Sequence, residues 1–211
     1  VCESIGVEPA VEAGVPAATP RLAGAHAARR LPWPAAAAAF AVSIEQAAQR
    51  LTTLQRDGRR GVPFFFLRID KAGNVTKRFN ATSFSIAEYG GACPVWNVHV
   101  AFRTPGVLLP QLVELPDGQQ FFTISRTTER PVYSMETQDR RLAIALGCES
   151  QHAHRVIYAS GLDLSPSGAA SKIGINCHLC PRHNCGQRAY DPIVTELTTD
   201  TKRRGETRYE S

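Results

Sequence analysis

The sequence predicts an α+β domain: an antiparallel sheet of hairpins with packed helices and a C-terminal cysteine-ligated metal-cluster segment. Three observations predict it. Two pairs of short apolar runs are joined by the turn signals KAGN and PDG and read as tandem hairpins. A capped amphipathic stretch precedes them and reads as a helix. Cys177, Cys180 and Cys185 crowd into GINCHLCPRHNCGQRAY near the end. Several strands with few helices favour α+β.

Taken in order, residues 1–41 are rich in Ala, Pro and Gly and read as a lead-in or linker, with one short helix around Arg21 to Arg30. The chain begins at Val1, not Met, and is expected to be a piece of a longer protein. The main α+β domain spans 42–160. It opens with SIEQAAQRLTTLQR, where Ser43 caps a helix and Gln46 completes a capping box. Ile44, Ala47, Ala48, Leu51 and Leu54 form its apolar face, and Gly58 is the expected stop.

VPFFFLRID then reads as a strand covered on both faces, because three successive Phe rings point both ways. VTKRFNA returns as its partner. Val95 to Phe102 is short and apolar and suits helix or strand. Val107 to Leu115 and Gln119 to Thr127 make the second hairpin. RLAIALGC is a further strand, and RVIYASGL is expected to be another. Leu162 to Ser171 is Ser, Pro and Gly rich and reads as a loop. The cluster segment covers 161–190 together with Cys148, and 191–211 is a polar tail whose Lys202, Arg203 and Arg204 read as solvated.

Composition is globular: 43% hydrophobic and 20% charged residues over 211. The net charge of +5 is mild and suits a solvated surface better than a nucleic-acid stripe. No apolar run reaches the roughly 18 residues of a membrane span. No G-x-S-x-G, P-loop, H-E-x-x-H or G-x-G-x-x-G occurs, so the sequence holds none of these catalytic motifs. His152 and His154 could bind metal, but read better as a solvated helix start. The expected location is the cytoplasm, where close-set cysteines bind metal more often than they pair.

Six cysteines are present: Cys2, Cys93, Cys148, Cys177, Cys180 and Cys185. C-x2-C followed by C-x4-C puts three thiolates within reach of one centre, and a closed thiolate site wants a fourth ligand. The candidates are His178, His183, Cys2, Cys93 and Cys148. Cys148 is preferred because it ends a predicted strand after Gly147, where the backbone can turn. Cys93 lies in the tight turn GGACP, which could be structural, and Cys2 lies in the linker. Ligand type admits zinc or an iron–sulfur cluster. Intervals of 28, two and four residues are unlike a zinc ribbon and favour a cluster. Arg182 and Arg188 flank the trio and could donate hydrogen bonds to its sulfurs.

RLTTLQRDGRRGVPFFFLRIDKAGNVTKRFNA, GGACPVWNVHVAF and the pair GCES with GINCHLCPRHNCGQRA together resemble the C-terminal domain of the short-chain fatty acyl transcriptional regulators of PrpR/RamB type. The resemblance covers about 42 to 190. His178 and the run RAYDP depart from the family's pattern. The resemblance implies a non-enzymatic regulatory domain that binds coenzyme A or a short acyl-CoA. It also implies a [4Fe-4S] cluster on Cys148, Cys177, Cys180 and Cys185, and a homotetramer. DNA would be bound through a helix-turn-helix outside this chain.

A coenzyme A site needs cations for phosphate and apolar or aromatic walls for the rest. Arg68, Lys77, Arg78 and Arg126 on the hairpins supply the cations, and Trp96 and Asn97 a stacking surface and an amide. Strand alternation puts Lys77 and Arg78 on opposite faces, so at most one of the two points inward. The competing readings are an iron–sulfur electron carrier and a zinc-stabilised interaction module.

Overall fold

A computed structural model describes residues 33–58, 60–86, 90–128, 141–165 and 168–196. The expected helix at Arg21 to Arg30, Cys2 and the basic run of the tail lie outside them. The element order is α1 (Trp33–Ala39), α2 (Ile44–Thr52), β1 (Phe65–Ile69), β2 (Val75–Asn80), α3 (Asn97–Val100), β3 (Leu109–Glu114), β4 (Gln120–Thr128), β5 (Leu142–Glu149), two 3-10 turns (Ser150–Arg155 and Ile157–Ala159) and β6 (Ser171–Lys172). The six strands form one sheet in the order β2-β1-β5-β4-β3-β6. All pairings are antiparallel except β3 with β6.

Both predicted hairpins form. Phe66 faces Phe79 across β1–β2, and Val113 faces Phe121 across β3–β4. Alternation along the strands loads two cores. Phe65, Leu67, Val113, Phe121 and Ala145 point to the face carrying α3. Phe66, Phe122, Ile124, Leu146 and Cys148 point to the face carrying α1 and α2. The three successive Phe residues are therefore split between two covered faces, as a doubly buried strand requires.

Gly147 lies on the α3 face, opposite Phe65. A Cβ there would meet the Phe65 ring at 2.4 Å, so glycine lets the ring lie against β5. That ring stacks on Phe84 at 4.0 Å and reaches Trp96 and Phe121 at 6.2 Å each, forming the aromatic centre of this core.

Three elements differ from expectation, and one open reading is decided. The segment read as lead-in ends in α1, where Trp33 is buried and its indole donates to the Ile44 carbonyl. Helix α2 has the expected capping box, but ends at Thr52 rather than running on to Arg56 before DGRRG. The Thr52 and Thr53 hydroxyls donate back to the Gln49 and Arg50 carbonyls, and such bonds compete with helix continuation. The ambiguous run after Val95 is the short helix α3. RVIYASGL is not a strand: i→i+3 bonds such as Val156 N–H to Ala153 O curl it into 3-10 turns. Its Val156 and Ala159, with Ala153 just before it, pack on the α1–α2 core.

Candidate functional site

The cysteine trio hangs from the β6 edge. Ser171 and Lys172 run beside Val113 and Glu114 of β3, and the Ile173 N–H adds a bond to the Glu114 carbonyl. Ile173 is wholly buried and anchors the loop to the α3-face core. Gly174 follows, and a Cβ there would lie 2.7 Å from the Cys180 sulfur. The buried Asn176 accepts the Leu179 N–H at 2.8 Å and starts the turn that holds Cys177 and Cys180.

Arg188 ties this loop together. It is buried, and its guanidinium donates to the carbonyls of Cys177 (3.0 Å), Cys180 (3.1 Å), Tyr190 and Arg182. Arg182 donates to the Glu114 carbonyl at 3.0 Å and pairs with its carboxylate, which fixes the loop to β3. The Ala189 N–H donates to the Cys177 sulfur, 3.5 Å away.

The fourth thiol beside the trio is Cys93, not Cys148. Cys93, Cys177, Cys180 and Cys185 line one small cavity together with Lys172, Asn176, Arg182 and Arg188. Burial pushes the Cys93 thiol up; N–H groups of Gly174 and Val95 oppose that, and the nearby Cys177 and Cys185 charges add to it. Cys148 sits elsewhere. It is fully buried on the α1–α2 face, opposite Phe122, with its thiol pushed up to about 12 by burial and then by Glu149. β5 is three strand positions from β6, about 14 Å at about 4.8 Å per strand. Cys148 therefore behaves as a small core hydrophobe.

His178 stacks on Tyr190 at 4.8 Å, and both it and His183 are exposed and outside the cavity lining. His152 and His154 lie in the 3-10 turn after β5, not a helix start. Among the described residues, no three His, Cys, Asp or Glu side chains converge tightly enough to grip a single metal ion. The donor set itself is four soft thiols around one space, with arginines and a lysine at its wall to offset negative charge. That chemistry fits an iron–sulfur cluster, in which each thiolate meets its own iron.

The six candidate coenzyme A residues are not brought together. Arg68, Lys77 and Arg126 belong to the α1–α2 face, where Arg68 pairs with Glu45 at 2.8 Å and Lys77 lies 3.8 Å from the same carboxylate. Arg126 borders a separate polar recess beside Ser43 and Glu45. Arg78 stands opposite Leu67, on the α3 side, and is exposed. Trp96 is core: 3% exposed, with its indole donating to the buried Thr123 hydroxyl at 3.2 Å. Asn97 opens α3, its backbone N–H donating to the Gln111 side chain. The sequence reading weighed Cys93 as a candidate and preferred Cys148. Strand parity is the signal that separates Cys148 from the trio: it shares the parity of Ile144 and Leu146, which face α1 and α2.

Comparison with known proteins gives a consistent answer. The model for "Short-chain fatty acyl coenzyme A regulator, C-terminal" matches residues 53–209. A propionyl-CoA carboxylase regulator of Cereibacter sphaeroides is 52% identical over 171 residues, covering 81% of this chain and 37% of that protein. The transcriptional regulators RamB and PrpR of Mycobacterium tuberculosis are 46% and 38% identical over 78% and 76% of this chain, and 35% and 33% of their own lengths. The chain thus spans about a third of the curated relatives it matches. A solved Mycobacterium tuberculosis transcriptional regulator superposes with a TM-score of 0.75 at 38% identity, over 83% of this chain and 53% of that one. With its six-stranded mixed sheet and its cysteine loop, the chain belongs to the short-chain fatty acyl coenzyme A regulator family and carries that family's C-terminal domain.

Proposed function

We propose that this chain is the effector-sensing part of a transcriptional regulator of short-chain acyl-CoA metabolism, and that Cys93, Cys177, Cys180 and Cys185 hold an iron–sulfur cluster. The observation that carries the cluster is the convergence of four thiols from two distant chain segments on one cavity, walled by Lys172, Arg182 and Arg188. Four thiolates and a cluster carry net negative charge, and cations with backbone N–H groups offset it. When bound, the cluster supplies a redox-active, oxygen-sensitive link between the Cys93 segment and the β6 loop. The regulatory role, with coenzyme A or a short acyl-CoA as effector, is supported by the names of the relatives. DNA would be bound by another part of the full protein, and the effector would act by preferring one assembly state over another.

Anaerobic purification followed by iron, zinc and acid-labile sulfide analysis tests the cluster. About four iron and four sulfide per chain are expected of a [4Fe-4S] centre on four cysteines. One zinc and no sulfide would replace it by a zinc-stabilised module. Calorimetric titration with acetyl-CoA and propionyl-CoA tests the effector, and heat from neither would remove that reading.

A further inference from the structure

Cys177 and Cys180 are the two ends of one turn. The Cys180 N–H donates to the Cys177 carbonyl at 3.4 Å, an i→i+3 bond. Such a turn brings its first and last Cα atoms within about 7 Å. A disulfide spans Cα atoms about 4.4–6.8 Å apart, so the turn sets this pair near the geometry that the bond needs. Arg188 holds the spacing: its guanidinium donates to the Cys177 carbonyl at 3.0 Å and to the Cys180 carbonyl at 3.1 Å. Both cysteines line the same cavity.

The other two thiols are placed differently. Cys185 opens the next turn, which the Arg188 N–H closes on the Cys185 carbonyl at 3.1 Å. Cys93 comes from the segment before α3 and meets the trio across the cavity. Exposure also divides the pair itself. Cys177 is half-buried, with His178 and Leu179 exposed beside it, whereas Cys180 is only 7% exposed. An accessible cysteine followed by a shielded one at this spacing is the arrangement of an attacking thiol with its resolving partner.

We propose that, in the metal-free chain, Cys177 and Cys180 form a dithiol–disulfide couple that exchanges with low-molecular-weight disulfides. The Cys177 thiolate attacks one sulfur of the small disulfide, a mixed disulfide forms, and the other sulfur leaves as a thiolate. The Cys180 thiolate then attacks the Cys177 sulfur, closes the protein disulfide and expels the second small thiolate. The two cysteine protons end on the two released thiols. Two cysteine thiols are oxidised, and one small disulfide is reduced to two thiols. Cys93 and Cys185 stay reduced. The cluster would claim the same two sulfurs, so oxidation and cluster loading exclude each other. That exclusion deepens the cluster reading and rests on it; the couple itself does not.

Trypsin separates the candidates, because Cys177 and Cys180 share the peptide 173–182, while Cys185 lies in 183–188 and Cys93 far upstream. The 211-residue chain is stripped of metal by a chelator without oxygen, equilibrated with reduced and oxidised glutathione, blocked with iodoacetamide and digested. Peptide 173–182 should come out lighter by a pair of hydrogens and free of alkyl groups, with Cys93 and Cys185 alkylated. The native chain should reach half-oxidation at an oxidised-glutathione level about tenfold below that of the urea-unfolded chain, because the fold holds the turn. Cys180→Ser should stop at a glutathione adduct on Cys177. Chain loaded with iron and sulfide should resist oxidation of 173–182 until the metal is removed. All four thiols alkylated in the metal-free chain, a disulfide that uses Cys93 or Cys185, or equal half-points for native and unfolded chain would overturn the couple. Equal oxidation of loaded and metal-free chain would overturn the exclusion. If the anaerobic chain held iron and sulfide but the metal-free chain stayed fully alkylated, the couple would fall and the cluster reading would stand. If 173–182 oxidised as expected and no preparation held iron and sulfide, the couple would stand and the cluster reading would fall.

Discussion

Exchanging Cys93 and Cys148 separately for serine distinguishes the site that the geometry supports from the one that the spacing suggested. Cys148 is fully buried among Phe66, Phe122, Leu146 and Ala153, in an apolar cluster. A serine hydroxyl there loses its water inside an apolar cluster, which costs about 1–3 kcal/mol. For a chain of this size each kcal/mol lowers Tm by about 2–4 °C. Cys148→Ser should therefore melt several degrees lower and keep its full iron and sulfide. Cys93→Ser removes one of the four thiols lining the cavity and should lose most of the iron, with its colour, while the sheet remains folded. Metal and sulfide analysis of anaerobically purified variants, with far-UV circular dichroism and urea unfolding, reads both effects. A colourless but folded Cys148→Ser, or a Cys93→Ser that keeps full iron, would refute the reasoning. Alkylation gives a second reading. Its thiol, held up at about 12, should leave Cys148 unreactive to iodoacetamide at pH 8 until the protein unfolds.

Arg188→Lys should not rescue Arg188→Ala. One ammonium cannot reach the Cys177, Cys180 and Tyr190 carbonyls from one point, and hydrogen exchange across 177–190 should accelerate in both variants. Gly147→Ala forces a methyl into the Phe65 ring at 2.4 Å and the Phe122 carbonyl at 2.8 Å; a loss of about 1–3 kcal/mol or more is expected in urea unfolding. Ser43→Ala removes the hydroxyl that accepts the Gln46 N–H and should cost about 1 kcal/mol, read in the same assay. Glu149 is held below the usual carboxylate range chiefly by the Ser83 hydroxyl. Its contribution is fully present above the ordinary carboxylate pKa of about 4.3 and is lost as pH falls through the lower folded value. Ser83→Ala should therefore flatten the acid limb of the stability curve, measured by unfolding from pH 6 to 3.

Local chemistry explains what could be read from the sequence. The capping box at Ser43 and the two hairpin turns act within a few residues, so they fold where the sequence places them. The same holds for Cys177, Cys180 and Cys185, which share one short loop. What could not be read depended on partners far along the chain. RVIYASGL has strand-like composition, but no open sheet position receives it: β5 is already paired on both sides, by β1 and β4. Trp33 looked like a linker residue until the Ile44 carbonyl and the Tyr158 hydroxyl gave its two N–H groups acceptors. The candidate phosphate-binding cations lie apart for a related reason. A hairpin alternates its side chains, so Lys77 and Arg78 were bound to separate, and Glu45 from α2 then took Lys77 together with Arg68.

The fourth cysteine shows the same division at the site itself. A strand-end cysteine after a glycine is a reasonable ligand when only distance along the chain is counted. Position in the sheet sets it apart from the trio, because β6 joins at the far edge, on β3, while β5 stays inside. Cys93 arrives by another route. The bridge between Asn74 and Gly91 holds the chain against the first hairpin, α3 packs over the core face, and the turn between them delivers Cys93 beside Gly174. Ligation through Cys93 would therefore tie the β6 loop to the segment that carries Trp96 and α3, whose side chains fill the core of the sheet. Gain or loss of a cluster there would act on the sheet's α3 face, whereas Cys148 packs with Phe66, Phe122 and Leu146 on the other face. β1, β4 and β5 each contribute side chains to both cores, so a shift of these strands on one face must be met by repacking on the other.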